Sequence, residues 1–110
     1  MTINQLEEKL SLKRLSHGDD KEISSCYICD LLSQVLGSCE QGDVWITVQT
    51  SLNVVAVAQM TEASCVIVPE NIPVPDNVIE KATEENLTIF SSEKNSFSLA
   101  CEIAALIKTR

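Results

Sequence analysis

The chain has 110 residues, of which 45% are hydrophobic and only 4% aromatic, so aliphatic side chains must build its core. Sixteen acidic and eight basic residues give a formal net charge of −8, which repels nucleic-acid phosphates and anionic lipid head groups. Nucleic acid and membranes are therefore poor partners, and neither an 18-residue apolar run nor a basic-then-apolar leader occurs. We expect one cytoplasmic domain over residues 1–110.

Capping residues and hydrophobic periodicity predict a helix followed by two strands in the first part of the chain. Thr2 begins the helix, with Gln5 at the capping-box position. A short strand over 12–16 and a second strand over 23–28 follow, the latter rich in β-branched and aromatic residues. A charged turn separates the two strands.

Helices and strands then alternate to the end of the chain. Asp30 is the predicted N-cap of the next helix, whose apolar face includes Leu31 and Leu36, and Gly42 is its predicted end. The later elements are a strand over 44–48, a helix begun by Thr50 or Ser51, a strand over 65–68, a helix over 76–85, a strand over 87–90 and a helix from Asn95 or Ser96 to Lys108 and Arg110. This alternation predicts an α/β fold, with a largely parallel sheet of four to five strands covered by helices.

Polar side chains gather where the predicted strands end. Gln49, Thr50, Ser51 and Asn53 follow the strand over 44–48, and Asp30 follows the strand before it. Ligands of open α/β sheets bind at the carboxyl ends of the strands, so these five residues form a candidate site for a small polar or anionic group. The same residue types also serve simply as turn and cap residues, and no Gly-rich phosphate loop precedes the helix.

Five cysteines raise a second functional question. Cys26 and Cys29 have the C-x-x-C spacing of a redox pair or half a metal site. Residues three apart in a strand point to opposite faces, however, and a four-cysteine cluster would have to recruit Cys39, Cys65 or Cys101 at no usual spacing. An odd number of cysteines among apolar neighbours is typical of reduced, packed thiols. We therefore expect no cofactor, with an iron–sulfur cluster as the alternative.

The sequence contains no recognisable catalytic set. His17 is the single histidine and lies in a charged turn, where a solvated role is the simpler interpretation. Neither a G-x-S-x-G motif nor a Ser/His/Asp set is present. We expect that the protein is not an enzyme.

Three runs of sequence resemble the stand-alone DRTGG-domain proteins, which are similar to the N-terminal domain of HPr kinase/phosphorylase. These runs are Y-I-C-D-L-L-S over 27–33, G-D-V-W-I-T-V-Q-T over 42–50 and N-V-V-A-V-A over 53–58. The resemblance spans nearly the whole chain. It implies a small α/β accessory fold, as in relatives embedded in phosphotransacetylases and CBS-containing inorganic pyrophosphatases, where the domain assists association or regulation.

The chain departs from the family at the motif that gives it its name. The Asp-Arg-Thr half falls at Thr50-Ser51-Leu52, and the Thr-Gly-Gly half falls at Pro69-Glu70-Asn71. The resemblance implies a non-catalytic regulatory or scaffold module that serves an enzyme partner. Together with the apolar helix over 52–60, in which only Asn53 and Gln59 are polar, it leads us to expect a homodimer. The polar residues at the strand ends, and not the resemblance, suggest that the module senses a small polar ligand. The alternative is an iron–sulfur or thiol redox accessory protein, because some stand-alone relatives are linked with iron hydrogenases.

Overall fold

In the computed structural model, which describes residues 1–107, one five-stranded sheet lies between two layers of helices. The elements in chain order are α1 (Ile3–Leu10), β1 (Lys13–Arg14), β2 (Cys26–Ile28), α2 (Leu32–Ser38), β3 (Val44–Ile46), α3 (Leu52–Thr61), β4 (Cys65–Val68), α4 (Asp76–Glu84), β5 (Ile89–Ser91) and α5 (Ser96–Leu106). The predicted α/β class is therefore confirmed.

The sheet has the strand order β1-β5-β4-β3-β2. Strands β2 to β5 are parallel to their neighbours, and only β1 is antiparallel, pairing with β5. Parallel neighbours need a crossover connection, and a helix supplies each one here. The largely parallel sheet of four to five strands is confirmed, and it makes β2 an edge strand.

Two apolar layers cover the faces of the sheet. Helices α2, α3 and α4 pack on one face around Trp45 and Val66, whereas α1 and α5 pack on the other face around Ile46 and Ile67. Every residue of β3 and β4 is buried, as expected for central strands covered on both sides. The largely apolar sequences of these two strands follow from that double burial.

Helix starts follow the capping residues only in part. The Thr2 hydroxyl and the Gln5 side chain form the predicted capping box of α1, and Asn95 caps α5 by accepting from the Ser98 amide. Ser51 is the N-cap of α3, but its side chain makes no capping hydrogen bond. Pro75 is the N-cap of α4, so Asp76 is its first helical residue and not its cap.

The start of α2 corrects the prediction. Leu31, and not Asp30, is the N-cap, because the Asp30 carboxylate bonds to the end of β3 instead. The predicted apolar face is also partly wrong. Val35 is fully buried, but Leu31 and Leu36 have exposed fractions of 65% and 44%.

The segment before β2 and the end of α2 also differ from the prediction. The strand predicted over 23–28 is shortened to β2, which begins at Cys26; before it, the Ile23 amide donates to the Met1 carbonyl and the Ser24 amide donates to the Gly42 carbonyl. Helix α2 ends at Ser38, before Gly42. Gly42 instead forms the turn into β3 with a φ of +84°, where a side chain would collide with Ser24.

Two further statements about the fold depend on which residues the structure describes. The predicted basic end of the last helix, at Lys108 and Arg110, lies outside the described residues. Among residues 1–107, none of the helices combines the length and the apolar character that crossing a bilayer requires.

Candidate functional site

Asp30 joins the loop after β2 to the end of β3. Its Oδ1 atom accepts a hydrogen bond from the Thr47 hydroxyl at 2.9 Å and another from the Val48 amide at 2.9 Å. Thr47 is only 1% exposed, so its hydroxyl needs a partner inside the protein. The Asp30 carboxylate supplies that partner and fixes two adjacent strand ends relative to each other.

Two further hydrogen bonds tighten the same corner. The Gln49 side-chain amide donates to the Asp30 carbonyl at 2.9 Å, while the Gln49 backbone amide donates to the Thr47 hydroxyl oxygen at 3.1 Å. The buried Trp45 donates its ring N–H to the Cys29 carbonyl at 2.9 Å. The structure thus brings Asp30 and Gln49 together, and hydrogen bonds tie the two strand ends to each other.

The other three candidate residues surround the start of α3. Ser51 and Asn53 are exposed and Thr50 is half-buried. None of their side chains forms a hydrogen bond within residues 1–107. The first amides of a helix have no partner inside the helix, so this corner offers both side-chain and backbone hydrogen-bonding groups.

Apolar side chains flank this polar corner. Four of the seven exposed large hydrophobic residues of the described chain lie here, with exposed fractions of 41 to 65%. They are Ile28, Leu31, Val48 and Leu52. We call these four residues, together with Asp30, Gln49, Thr50, Ser51 and Asn53, the strand-end surface.

Sequence reasoning identifies the polar half of this surface and misses the apolar half. It places Leu31 on the buried face of a helix, and Ile28 and Val48 inside strands. Their exposure follows from two features of the fold, the position of β2 at the sheet edge and the end of β3 at Ile46. One feature of the sequence does indicate an uncharged surface here, because Asp30 is the only charged residue over 23–39.

Comparison with known proteins identifies the family. A family model described as the DRTGG domain matches residues 6–106. The chain belongs to the DRTGG domain family. No curated protein matches this DRTGG domain closely enough to count as a relative.

A solved structure shares the fold of this DRTGG domain. It is the crystal structure of the CBS and DRTGG domains of the regulatory region of Clostridium perfringens pyrophosphatase, complexed with the activator diadenosine tetraphosphate. The TM-score is 0.71 at 16% sequence identity, and the match covers 93% of this chain and 45% of that chain. The DRTGG domain described here therefore spans under half the length of that structure.

The backbone of this DRTGG domain is left-handed at two successive non-glycine residues in the loop after β4. Glu70 and Asn71 both lie in the left-handed region, with φ values of 59° and 54°. The Glu70 amide donates to the Lys94 carbonyl at 3.0 Å, and the Asn71 amide donates to the Ser92 carbonyl at 2.9 Å. Both amides therefore connect this loop to the loop after β5, and neither is left for a ligand.

The cysteines do not form a shared site. Cys26 packs in the apolar layer of α1 and α5, whereas Cys29 packs in the opposite layer. Burial, with a smaller effect from Asp43, raises the pKa of the Cys26 thiol to about 12, and burial raises the pKa of Cys65 to about 12. Residues 1–107 contain no group of three or more histidine, cysteine or acidic residues placed to hold a metal ion. The described residues thus do not fit the iron–sulfur alternative.

Proposed function

We propose that this DRTGG domain is a non-catalytic regulatory module that forms a homodimer through the strand-end surface. The observation that carries the proposal is that four exposed large apolar side chains, those of Ile28, Leu31, Val48 and Leu52, lie at or just after the ends of the neighbouring strands β2 and β3. Scattered exposed apolar side chains are ordinary on a protein surface, but a contiguous apolar patch with polar neighbours is typical of an interaction site.

The distribution of charge favours a second copy as the partner. Two chains that each carry a net charge of −8 repel one another over most of their surfaces. The strand-end surface is an exception, because Asp30 is the only charged residue over 23–39 and no charged residue occurs over 44–61. Interface cores are depleted in charged residues, so this is where two copies can approach most closely.

The rigidity of the corner also supports a docking role. Hydrogen bonds from Thr47, Val48 and Gln49 hold Asp30 before any partner arrives. A surface that is already ordered loses less conformational entropy on binding than a mobile loop does.

The solved structure of similar fold supports a regulatory role. Its DRTGG domain belongs to the regulatory region of a pyrophosphatase that is complexed with an activator. We infer that the present domain likewise serves an enzyme partner, and does so in the cytoplasm.

Charge placed on the strand-end surface tests the homodimer. Burying the exposed half of a leucine contributes about 1 kcal/mol, and two-fold symmetry doubles this to about 2 kcal/mol per interface. We expect Leu31→Lys and Leu52→Lys each to weaken dimerisation by about 30-fold or more. Light scattering across a concentration series measures the effect.

Met60→Lys is the matched control. Met60 is 72% exposed on α3 but lies near the opposite end of the helix from Leu52. We expect this variant to dimerise like the wild type. A strict monomer at the highest concentration of wild-type protein contradicts the proposal, as does an equal loss of dimer in all three variants.

A small polar ligand at the same corner is the second candidate function. It rests on the side chains of Thr50, Ser51 and Asn53, which make no hydrogen bond within the described residues beside the first amides of α3. A thermal-shift screen of nucleotides and central metabolites should give a hit that Thr50→Ala abolishes. A screen without hits would remove this candidate and leave the homodimer proposal standing.

A further inference from the structure

Strand β2 is an edge of the sheet, with no strand of residues 1–107 on its outer side. The Val44 amide donates to the Ser25 carbonyl, and Tyr27 is paired in parallel register with β3. Backbone groups alternate in direction along a strand, so the N–H and C=O groups of Cys26 and Ile28 point away from β3. None of these outward groups has a hydrogen-bond partner within the described residues.

The two edges of the sheet differ in how they are protected against pairing with another chain. The opposite edge, β1, consists of Lys13 and Arg14, and charged residues on an edge strand discourage such pairing. Neither a charged residue nor a proline occurs over 23–29. Tyr27 is half-buried and Ile28 is 45% exposed. Strand β2 therefore presents free backbone groups and uncharged side chains to a strand that approaches it.

The free backbone groups of β2 are arranged symmetrically about Tyr27. In an antiparallel pair, opposite residues alternate between those that exchange both backbone hydrogen bonds and those that exchange none. A two-fold axis at Tyr27 places Cys26 of one copy opposite Ile28 of the other, so each Cys26–Ile28 pair exchanges both bonds. The two Tyr27 side chains then lie opposite each other on one face, as a cross-strand aromatic pair. A second β2 therefore satisfies every outward backbone group of the first.

We propose that two copies of the chain pair through their β2 edges, antiparallel about Tyr27, and join their sheets into one. The uncharged edge lets the strands approach, although each chain carries a net charge of −8. This contact goes beyond the proposed homodimer, because antiparallel pairing turns the two strand-end surfaces to opposite ends of the joined sheet. A chain that uses both contacts forms species larger than a dimer. Cys26 and Ile28 alone exchange hydrogen bonds across the edge, so we expect this contact to form at higher protein concentration than the strand-end contact.

Amide hydrogen exchange in the wild-type protein tests the pairing without a substitution. We expect exchange of the Cys26 and Ile28 amides to slow as the protein concentration rises, because these amides then donate to the second copy. The Tyr27 amide points towards β3 and is the internal control, so its exchange rate should change far less. Exchange at Cys26 and Ile28 that does not depend on concentration overturns the proposal, as does protection that appears only after a different protein is added.

Proline at position 26 blocks the edge and leaves the hydrogen bonds to β3 in place. Cys26→Pro lacks the outward N–H, and an edge strand tolerates proline where the N–H faces away from the sheet. Cys26→Ala removes the same thiol and keeps the N–H, so it is the matched control. By light scattering at the highest concentration, we expect species larger than a dimer for the wild type and Cys26→Ala, and a dimer for Cys26→Pro. A Cys26→Pro protein that assembles like Cys26→Ala contradicts the proposal.

The Leu52→Lys variant separates this proposal from the proposed function. Leu52 belongs to the strand-end surface and lies outside β2. Leu52→Lys weakens the strand-end contact and keeps the edge contact, so we expect a dimer at the highest concentration and a monomer when Cys26→Pro is added. Assembly of Leu52→Lys identical to that of the wild type counts against the strand-end homodimer alone. A monomeric Leu52→Lys protein counts against the edge contact alone.

Discussion

Truncation of Asp30 should destabilise the protein, although the residue itself is exposed. Asp30→Ala removes the acceptor of the Thr47 hydroxyl, which is buried, and of the Val48 amide, whose residue is 41% exposed. A buried hydroxyl without its partner costs about 1–3 kcal/mol, whereas water can replace the carboxylate at an exposed amide. We therefore expect the free energy of unfolding to fall by about 2 kcal/mol.

A double-mutant cycle separates this hydrogen bond from other effects of the substitution. Thr47→Val removes the hydroxyl with little change in shape and should cost about 1 kcal/mol. In the Asp30→Ala/Thr47→Val variant no hydroxyl is left without a partner, so the two losses should not add, and the coupling should be about 1 kcal/mol. Urea unfolding of the four proteins, followed by circular dichroism, measures each value.

Asp30→Asn is the conservative control. It keeps an oxygen acceptor in place of the carboxylate, so it should retain most of the stability that Asp30→Ala loses. Strictly additive effects in the cycle would refute the reasoning, because Asp30 and Thr47 would then act independently. A loss in Asp30→Asn as large as that in Asp30→Ala would also refute it.

Two further predictions concern backbone conformation and thiol ionisation. The left-handed conformation costs Glu70 about 1–2 kcal/mol, and glycine adds about 0.5–1 kcal/mol of unfolded-chain entropy, so Glu70→Gly should stabilise the protein by about 0.5–1 kcal/mol. Glu80→Gly, inside α4, should instead destabilise it by about 1 kcal/mol in the same urea assay, and a loss in both variants contradicts the assigned conformation. The pKa of Cys65 is about 12 in the folded protein and 9.0 ordinarily, so the unfolded state loses its proton first as pH rises. The free energy of unfolding should therefore fall above about pH 9, by up to about 1.4 kcal/mol per pH unit. Urea unfolding of the wild type and Cys65→Ala between about pH 8 and pH 10 isolates this contribution, and parallel pH slopes would rule it out.

The candidate site shows how far local reasoning reaches. The rule that ligands and partners meet α/β sheets at the strand ends is enough to place Asp30 near Gln49 from the order of the residues alone. It cannot say what Asp30 does there. As a predicted helix N-cap, Asp30 would accept from an amide a few residues along the chain. The observed donor is the hydroxyl of Thr47, which is 17 residues away. This hydroxyl comes within reach only when β2 and β3 pair.

Leu31, the exposed leucine just before α2, shows what hydrophobic periodicity does not predict. Periodicity tells which residues of a helix share a face, but Leu31 precedes the first helical residue and leaves that face. Burial also depends on what packs against an element. Because β2 is an edge strand, Ile28 stays 45% exposed, while its partner Ile46 in β3 is fully buried.

The sequence by itself determined the alternation of strands and helices, and with it the α/β class, the largely parallel sheet and the capping box at Thr2 and Gln5. These features depend on residues within a few positions of one another or on the hydrophobicity of whole segments. Only the tertiary structure decided the role of Asp30, the apolar half of the strand-end surface and the left-handed backbone at Glu70. Each of these depends on contacts between segments far apart in the chain, and such contacts exist only after the sheet has assembled.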